Sequence, residues 1–71
     1  MVKAKFKVES VTTFANGASI KMHPVQSGSE ENKKFYQYTP GGTLDLMVIN
    51  AETAKQFIPG KEYYIDISLA E

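Results

Sequence analysis

The chain has 71 residues, and its eight lysines, with no arginine, balance eight acidic residues to give zero formal charge. Zero net charge argues against avid non-specific binding to duplex DNA, which depends on counterion release by many cations. With no cysteine, neither disulfides nor thiolate metal sites can stabilise the fold. Residues 1–71 are therefore expected to form one small domain that buries only about 60% of its unfolded surface, and we expect oligomerisation to add burial.

The first predicted element is a half-buried strand. Apolar and charged residues alternate from Val2 to Glu9, the period of two that is typical of a sheet with one buried face. Ser10 then occupies an apolar position, which predicts a β-bulge between Glu9 and Val11. The outward lysines at positions 3, 5 and 7 form a basic stripe. It could follow a nucleic-acid backbone, but we favour protection of an edge strand against aggregation.

A hairpin is predicted next. Asn16-Gly17 is flanked by β-forming residues, which favours a type I′ turn. The return strand is expected over Ser19 to Gln26, with Ile20 and Met22 facing inward. Pro24 has no N–H to donate, so this strand either lies at an edge or ends there.

The segment from Ser27 to Gly42 is the least regular part of the sequence. Ser29 to Asn32 could form one helical turn capped by Ser29. The aromatic run from Phe35 to Thr39 is predicted to be the third strand, with Phe35 in the core, and Pro40-Gly41-Gly42 to turn the chain.

The last third of the chain predicts two strands around a helix. The fourth strand is expected over Thr43 to Ile49, and Asn50 would cap a helix over Ala51 to Phe57. The final strand is expected over Lys61 to Leu69, with Tyr63, Ile65, Ile67 and Leu69 inward. The predicted class is mostly β (α+β), a small, strongly bent five-stranded antiparallel sheet or partly open barrel. Its predicted order is β-β-β-β-α-β, with one short helix before the last strand.

Catalytic and metal-binding patterns are not found. His23 is the only histidine, the local sequence lacks a nucleophile elbow, and one histidine with scattered carboxylates is not a metal signature. We therefore expect no enzyme, no cofactor and no metal site. No apolar run is long enough for a membrane span, and Met1 is not followed by a signal peptide, so a soluble intracellular protein is expected.

Binding chemistry is concentrated around the aromatic run. On a strand, Tyr36 and Tyr38 would share a face about 7 Å apart and could stack on bases, or serve as core or interface aromatics. Lys33 and Lys34 could contact phosphates or form a solvated basic pair. Asn32, Ser29 and Thr39 could bind a ligand by hydrogen bonds or serve only as turn residues. The predicted ligand-binding residues are Ser29, Asn32, Lys33, Lys34, Tyr36, Tyr38 and Thr39.

Three segments carry a resemblance to a known group. VKAKFKV, SGSEENKKFYQYTPGG and FIPGKEYYIDI resemble a widespread group of very small tailed-phage proteins. This group is similar to the anti-CBASS sponge proteins, which sequester cyclic dinucleotides such as 3′,3′-cGAMP without degrading them. The resemblance implies a homotetramer with the ligand between protomers, acting in the cytoplasm of an infected bacterial host to block its anti-phage defence.

Three functions are consistent with these observations. The first is a cyclic-dinucleotide sponge, in which the ligand's two phosphates require no net positive charge. The second is a single-stranded nucleic-acid-binding protein, whose affinity would grow with oligonucleotide length and fall steeply with salt. The third is a structural or adaptor protein of the virion, which would bind no nucleotide.

Overall fold

The computed structural model describes residues 2–70. Within this range one antiparallel sheet of four strands has the spatial order β3-β2-β1-β4, so that β3 and β4 are its edges. The sheet is curled like half a barrel, and the predicted mostly β, antiparallel class is confirmed. The elements in chain order are β1 (Val2–Phe14), β2 (Gly17–Pro24), α1 (Glu30–Tyr38), β3 (Leu44–Val48), α2 (Ala51–Ala54) and β4 (Glu62–Ile67).

The predicted five-stranded sheet with order β-β-β-β-α-β is wrong, because Phe35 to Thr39 is not a strand. Glu30 to Tyr38 forms α1, which is nine residues long. Ser29 caps it by accepting a hydrogen bond from the Asn32 N–H at 3.0 Å, and two glutamates follow in the first turn, where the helix dipole favours negative charge. The predicted single turn therefore nucleates a helix that continues through the aromatic residues.

The β1–β2 hairpin forms, and its bulge is confirmed by a shift in register between Val8 and Ser10. The predicted turn type is wrong. Phe14 pairs with Gly17, so the two-residue loop is Ala15-Asn16. A type I′ turn needs positive φ at both central residues, and no non-glycine residue of the described range has it.

Gly17 allows β3 to lie close to the hairpin. A Cβ atom at this position would come within 2.6 Å of the Val48 carbonyl oxygen and 3.3 Å of the Ile49 Cα. Both are backbone atoms, so a side chain here would displace the end of β3.

The core lies on one face of the sheet. Ile20 and Met22 of β2 are fully buried. Pro24 was consistent with an edge strand or with the end of the strand; β2 is a central strand, and it ends at Pro24, so the second alternative is confirmed. Leu46 of β3 packs on this core with Tyr63 of β4. The other core residues on β1 and β2 are Ala4, Phe6, Val8 and Ala18.

The segment after α2 closes one side of this core. Ala54 and Phe57 pack on the buried cluster. Asn50 caps α2 as predicted, accepting from the Glu52 and Thr53 N–H groups, but the helix ends at Ala54 rather than at Phe57. Tyr63 then fixes the following loop, since its hydroxyl donates to the Gln56 carbonyl at 2.7 Å and accepts from the Ile58 N–H at 2.9 Å.

The end of the last strand departs from the prediction. β4 ends at Ile67 rather than at Leu69. Tyr63 and Ile65 pack against the core as predicted, but Ile67 and Leu69 are exposed. β2 ends opposite Phe6, so that within residues 2–70 only β1 lies beside this end of β4.

Candidate binding groove on α1

Helix α1 lies on the outer face of the sheet, opposite the core, and polar contacts attach it to β1 and β4. The Glu31 carboxylate accepts from the Lys5 ammonium at 2.9 Å and from the Tyr64 hydroxyl at 2.8 Å. Lys5 also lies 3.4 Å from Glu62. One lysine of the predicted basic stripe is thus paired with two carboxylates and does not face solvent as a free cation.

The pKa values of Glu31, Lys5 and Tyr64 are each shifted in the direction that favours the protonation state needed for these contacts. The pKa of Glu31 is lowered, first by the hydrogen bond from Lys5 and then by that from Tyr64. The pKa of Lys5 is raised, chiefly by its hydrogen bond to Glu31, and the pKa of Tyr64 is raised by the same carboxylate. The network is thus complete near neutral pH, weakens on acidification as Glu31 is protonated, and weakens at alkaline pH as Lys5 and Tyr64 lose their protons.

Asn32 anchors the first turn of α1. The residue is only 2% exposed, and its side-chain amide donates to the Ser27 carbonyl at 2.9 Å and to Glu62 Oε2 at 3.0 Å. Both amide hydrogens are thereby used within the protein. Its Oδ1 is buried and has no hydrogen-bond partner within residues 2–70. In this fold Asn32 joins the loop before α1 to β4.

Aromatic contacts complete the attachment of α1. The rings of Phe35 and Tyr64 are tilted at 52° with their centroids 6.1 Å apart, a separation typical of a favourable aromatic pair. The Lys3 ammonium lies 5.2 Å from the centre of the Tyr64 ring, within cation–π range. Phe35 is therefore half-buried on the outer face, and the prediction that it belongs to the core is wrong.

A groove runs along one side of α1, next to the contacts that Glu31 and Phe35 make with the sheet. It has a volume of about 410 Å³. Tyr38 stands in it with 77% of its surface exposed, so one ring is free to contact a ligand. The groove is lined by Glu30, Glu31, Lys34, Phe35 and Tyr38.

The structure separates the predicted ligand-binding residues into groups. Lys34 and Tyr38 line the groove, whereas Asn32 is buried and Ser29 is the helix cap. Tyr36 does not share a strand face with Tyr38, because residues two apart on a helix point in nearly opposite directions. The remaining two are Lys33, which pairs with Glu30 at 3.3 Å, and Thr39, which is the C-cap of α1.

Sequence reasoning missed Glu31 and Phe35, which hold the groove in place. With the predicted Tyr38 they follow the helical spacing i, i+4, i+7, a signal that becomes readable once Ser29 is recognised as a cap. The pairing of Glu31 with Lys5 and Tyr64 joins positions 26 and 33 residues apart, and no local pattern predicts it.

No group of three or more His, Asp or Glu side chains within residues 2–70 is arranged to hold a metal ion. In the same range no helix has both the length and the apolar character needed to cross a membrane.

Comparison with known proteins gives no relative, since no family model, curated protein or solved structure matches the chain.

Proposed function

We propose that this chain is a non-catalytic binding protein that takes a nucleotide in the groove on α1. The specific ligand we propose, on the strength of the sequence resemblance, is a cyclic dinucleotide, which the protein sequesters. The observation that carries the proposal is that the exposed ring of Tyr38, the ring of Phe35 and the ammonium group of Lys34 line a single groove.

Three side chains of the groove, those of Tyr38, Lys34 and Glu30, each match one part of a nucleotide. A base stacked on the Tyr38 ring would gain about 1–3 kcal/mol. The Lys34 ammonium would meet a phosphate as a point charge. The Glu30 carboxylate can accept a hydrogen bond from the exocyclic amino group of a base.

The two carboxylates of the groove, on Glu30 and Glu31, disfavour an anionic ligand, but the negative charge of Glu31 is largely neutralised by its partners. Glu31 is paired with Lys5 at 2.9 Å and bonded to Tyr64, so its charge acts only weakly on a phosphate. Glu30 is exposed and lies 3.3 Å from Lys33. This distribution of charge favours one base stacked on Tyr38, a phosphate at the Lys34 side chain in the middle of the groove, and the second base of the ligand at Glu30.

A single groove covers only one side of such a ligand. Nanomolar affinity requires about 12 kcal/mol, several times what one stacked base supplies. The proposal therefore includes a second protomer that covers the opposite side, as the resemblance implies.

Tyr38→Ala tests the proposal. We expect its affinity for 3′,3′-cGAMP, measured by isothermal titration calorimetry, to fall at least tenfold because the stacking platform is lost. Gln37→Ala, an exposed change on the same helix, is the control and should bind as the unmodified chain does. Equal affinity of Tyr38→Ala and the unmodified chain would remove the α1 groove from the binding site.

Single-stranded oligonucleotides provide the competing measurement. A sponge binds the small ligand with fixed stoichiometry and modest salt dependence. Affinity that instead grows with oligonucleotide length and falls steeply with salt, with no binding of the cyclic dinucleotide, would replace the proposal with a single-stranded nucleic-acid function.

A further inference from the structure

Strand β3 is an unprotected edge of the sheet. It pairs with β2 on one side only, and within residues 2–70 no strand lies on its other side. Natural edge strands are usually protected by lysine, proline, a bulge or a covering element. Among its five residues, LDLMV, Asp45 is the only charged residue, and the strand contains no proline.

The outer face beside this edge is apolar. Met47 and Ile49 are 73% and 78% exposed, and Phe14 is half-exposed. These three residues, here called the β3 patch, line one shallow groove of about 430 Å³ together with Asn16 and Gly17. Because Gly17 has no side chain, the floor of the groove is open backbone between Phe14 and the two aliphatic side chains.

The apolar surface continues around the hairpin. A neighbouring groove of about 540 Å³ shares Phe14, Gly17 and Ile49 with the groove at the β3 patch and extends to Phe57 and Pro59. Met47 and Ile49 are therefore exposed on the outer face, on the same side as Asp45, while Leu44, Leu46 and Val48 pack on the core. Apolar side chains on the outer face of a strand whose other face packs on the core are typical of a strand covered on both faces.

The opposite edge of the sheet is built differently. β4 carries Glu62 and Asp66 on its outer face. α1 contacts that face through Phe35 and Tyr64. The contrast between the two edges identifies β3 as the one that is suited to pairing.

The chain exposes more surface than a compact monomer of its mass. The accessible surface is 5324 Å², whereas the scaling relation for compact monomers gives about 4,400 Å² for a 7.9 kDa chain. The difference of about 900 Å² is close to the roughly 800 Å² that each partner buries in a standard protein–protein interface. The molecule is also flat, with extents of 38 × 34 × 17 Å.

We propose that a second copy of this chain binds the β3 patch, with the two β3 strands paired antiparallel about a two-fold axis at Met47. This register places Met47 opposite Met47 and Asp45 opposite Ile49, so the two carboxylates are kept apart. It places Met47 and Ile49 of both copies at the interface, with each Phe14 on β1, two strands away from β3, and makes one continuous sheet of eight strands. The inference is independent of the ligand proposed for the α1 groove.

Opposite charges introduced at the two-fold axis test this interface. We expect sedimentation equilibrium at micromolar concentration to give a mass of at least a dimer for the unmodified chain. Met47→Lys and Met47→Glu should each break the β3–β3 contact and halve the mass, with the dissociation constant of that contact raised at least 100-fold, because two like charges meet at the axis. An equimolar mixture of the two variants should recover the mass of the unmodified chain, which a merely unfolded variant would not do.

Controls keep the outcome decisive. Leu69→Lys changes a residue that is 96% exposed but distant from β3 in the sheet, and it should leave the mass unchanged. Ile49→Asp, just beyond the strand, places a carboxylate opposite Asp45 of the second copy and should also dissociate the dimer; it replaces Met47→Lys if circular dichroism shows that the latter is unfolded. The proposal is overturned by an unmodified chain that is monomeric at 100 µM, by charged variants that keep its mass, or by a mixture that does not reassemble.

Discussion

Gly17 is required by the close approach of β3 to the hairpin, not by the turn itself. Any Cβ atom would meet the Val48 carbonyl oxygen at 2.6 Å, and backbone atoms cannot rotate away as a side chain can. We expect Gly17→Ala to lower the free energy of unfolding by about 1–3 kcal/mol, the usual cost of overpacking. Thermal denaturation measures this as a decrease in Tm of several degrees.

Gly41→Ala is the matched control, because a Cβ atom there has no neighbour within 4 Å. Its stability should be unchanged or higher by up to about 1 kcal/mol, since alanine restricts the unfolded chain. If both variants have the same Tm, the contact between Gly17 and β3 is not present in solution.

Asn32 is the residue whose role changes most between sequence and structure. It was predicted to bind ligand, but its amide donates to Ser27 and Glu62 inside the protein. We expect Asn32→Ala to lower the free energy of unfolding by about 1–3 kcal/mol, because two buried hydrogen bonds are lost. Chemical denaturation measures this, with Gln37→Ala expected within about 0.5 kcal/mol of the unmodified chain. Unchanged stability of Asn32→Ala would contradict the anchoring role.

At the scale of elements, α1 shows where local propensity is insufficient. Phe, Tyr and Thr favour strands, and the run from Phe35 to Thr39 therefore predicts a strand. The preceding residues decided the structure: Ser29 caps, Glu30 and Glu31 suit the first turn, and the two lysines and Gln37 are good helix formers. Once a helix has begun, each further residue adds a hydrogen bond without a new nucleation step, so the helix continues through the aromatic residues.

Other elements were predictable for equally physical reasons. The alternation in β1 and the caps at Ser29 and Asn50 are local signals, and the structure confirms them. Which strand lies at which edge depends on contacts between distant residues, such as the pairing of Ala4 with Ile65. The sequence pattern carries no signal for those contacts.

The attachment of α1 to the sheet should depend on pH. Because the pKa of Glu31 is lowered in the folded state, its contribution to stability is present above the ordinary glutamate value of 4.5 and is lost as the pH falls through the lowered value. We expect the difference in unfolding free energy between the unmodified chain and Glu31→Gln to be largest near pH 7 and to shrink as the pH falls below 4.5. Urea denaturation at a series of pH values measures it. A difference that stays constant down to pH 3 would show that Lys5 and Glu31 are not paired.

At the scale of the whole molecule, two surfaces lie at different places on the sheet. The α1 groove contains charged and aromatic groups beside β1 and β4, and the β3 patch is apolar and lies at the other edge. This separation lets ligand binding and self-association be tested by different substitutions. The sequence pattern indicates which segment carries the groove. The geometry of the groove depends on this segment forming the helix α1 instead of the predicted strand.

The measurement that tests the proposed function most directly is a thermal-shift assay of the purified protein with a panel of cyclic and linear nucleotides. After the assay, any bound ligand is recovered by denaturation and its mass determined. We predict a large increase in Tm with one cyclic dinucleotide, which is returned intact, and little increase for Tyr38→Ala. No increase with any nucleotide of the panel, or the return of a cleaved ligand, would contradict the proposal that this chain sequesters a nucleotide without catalysis.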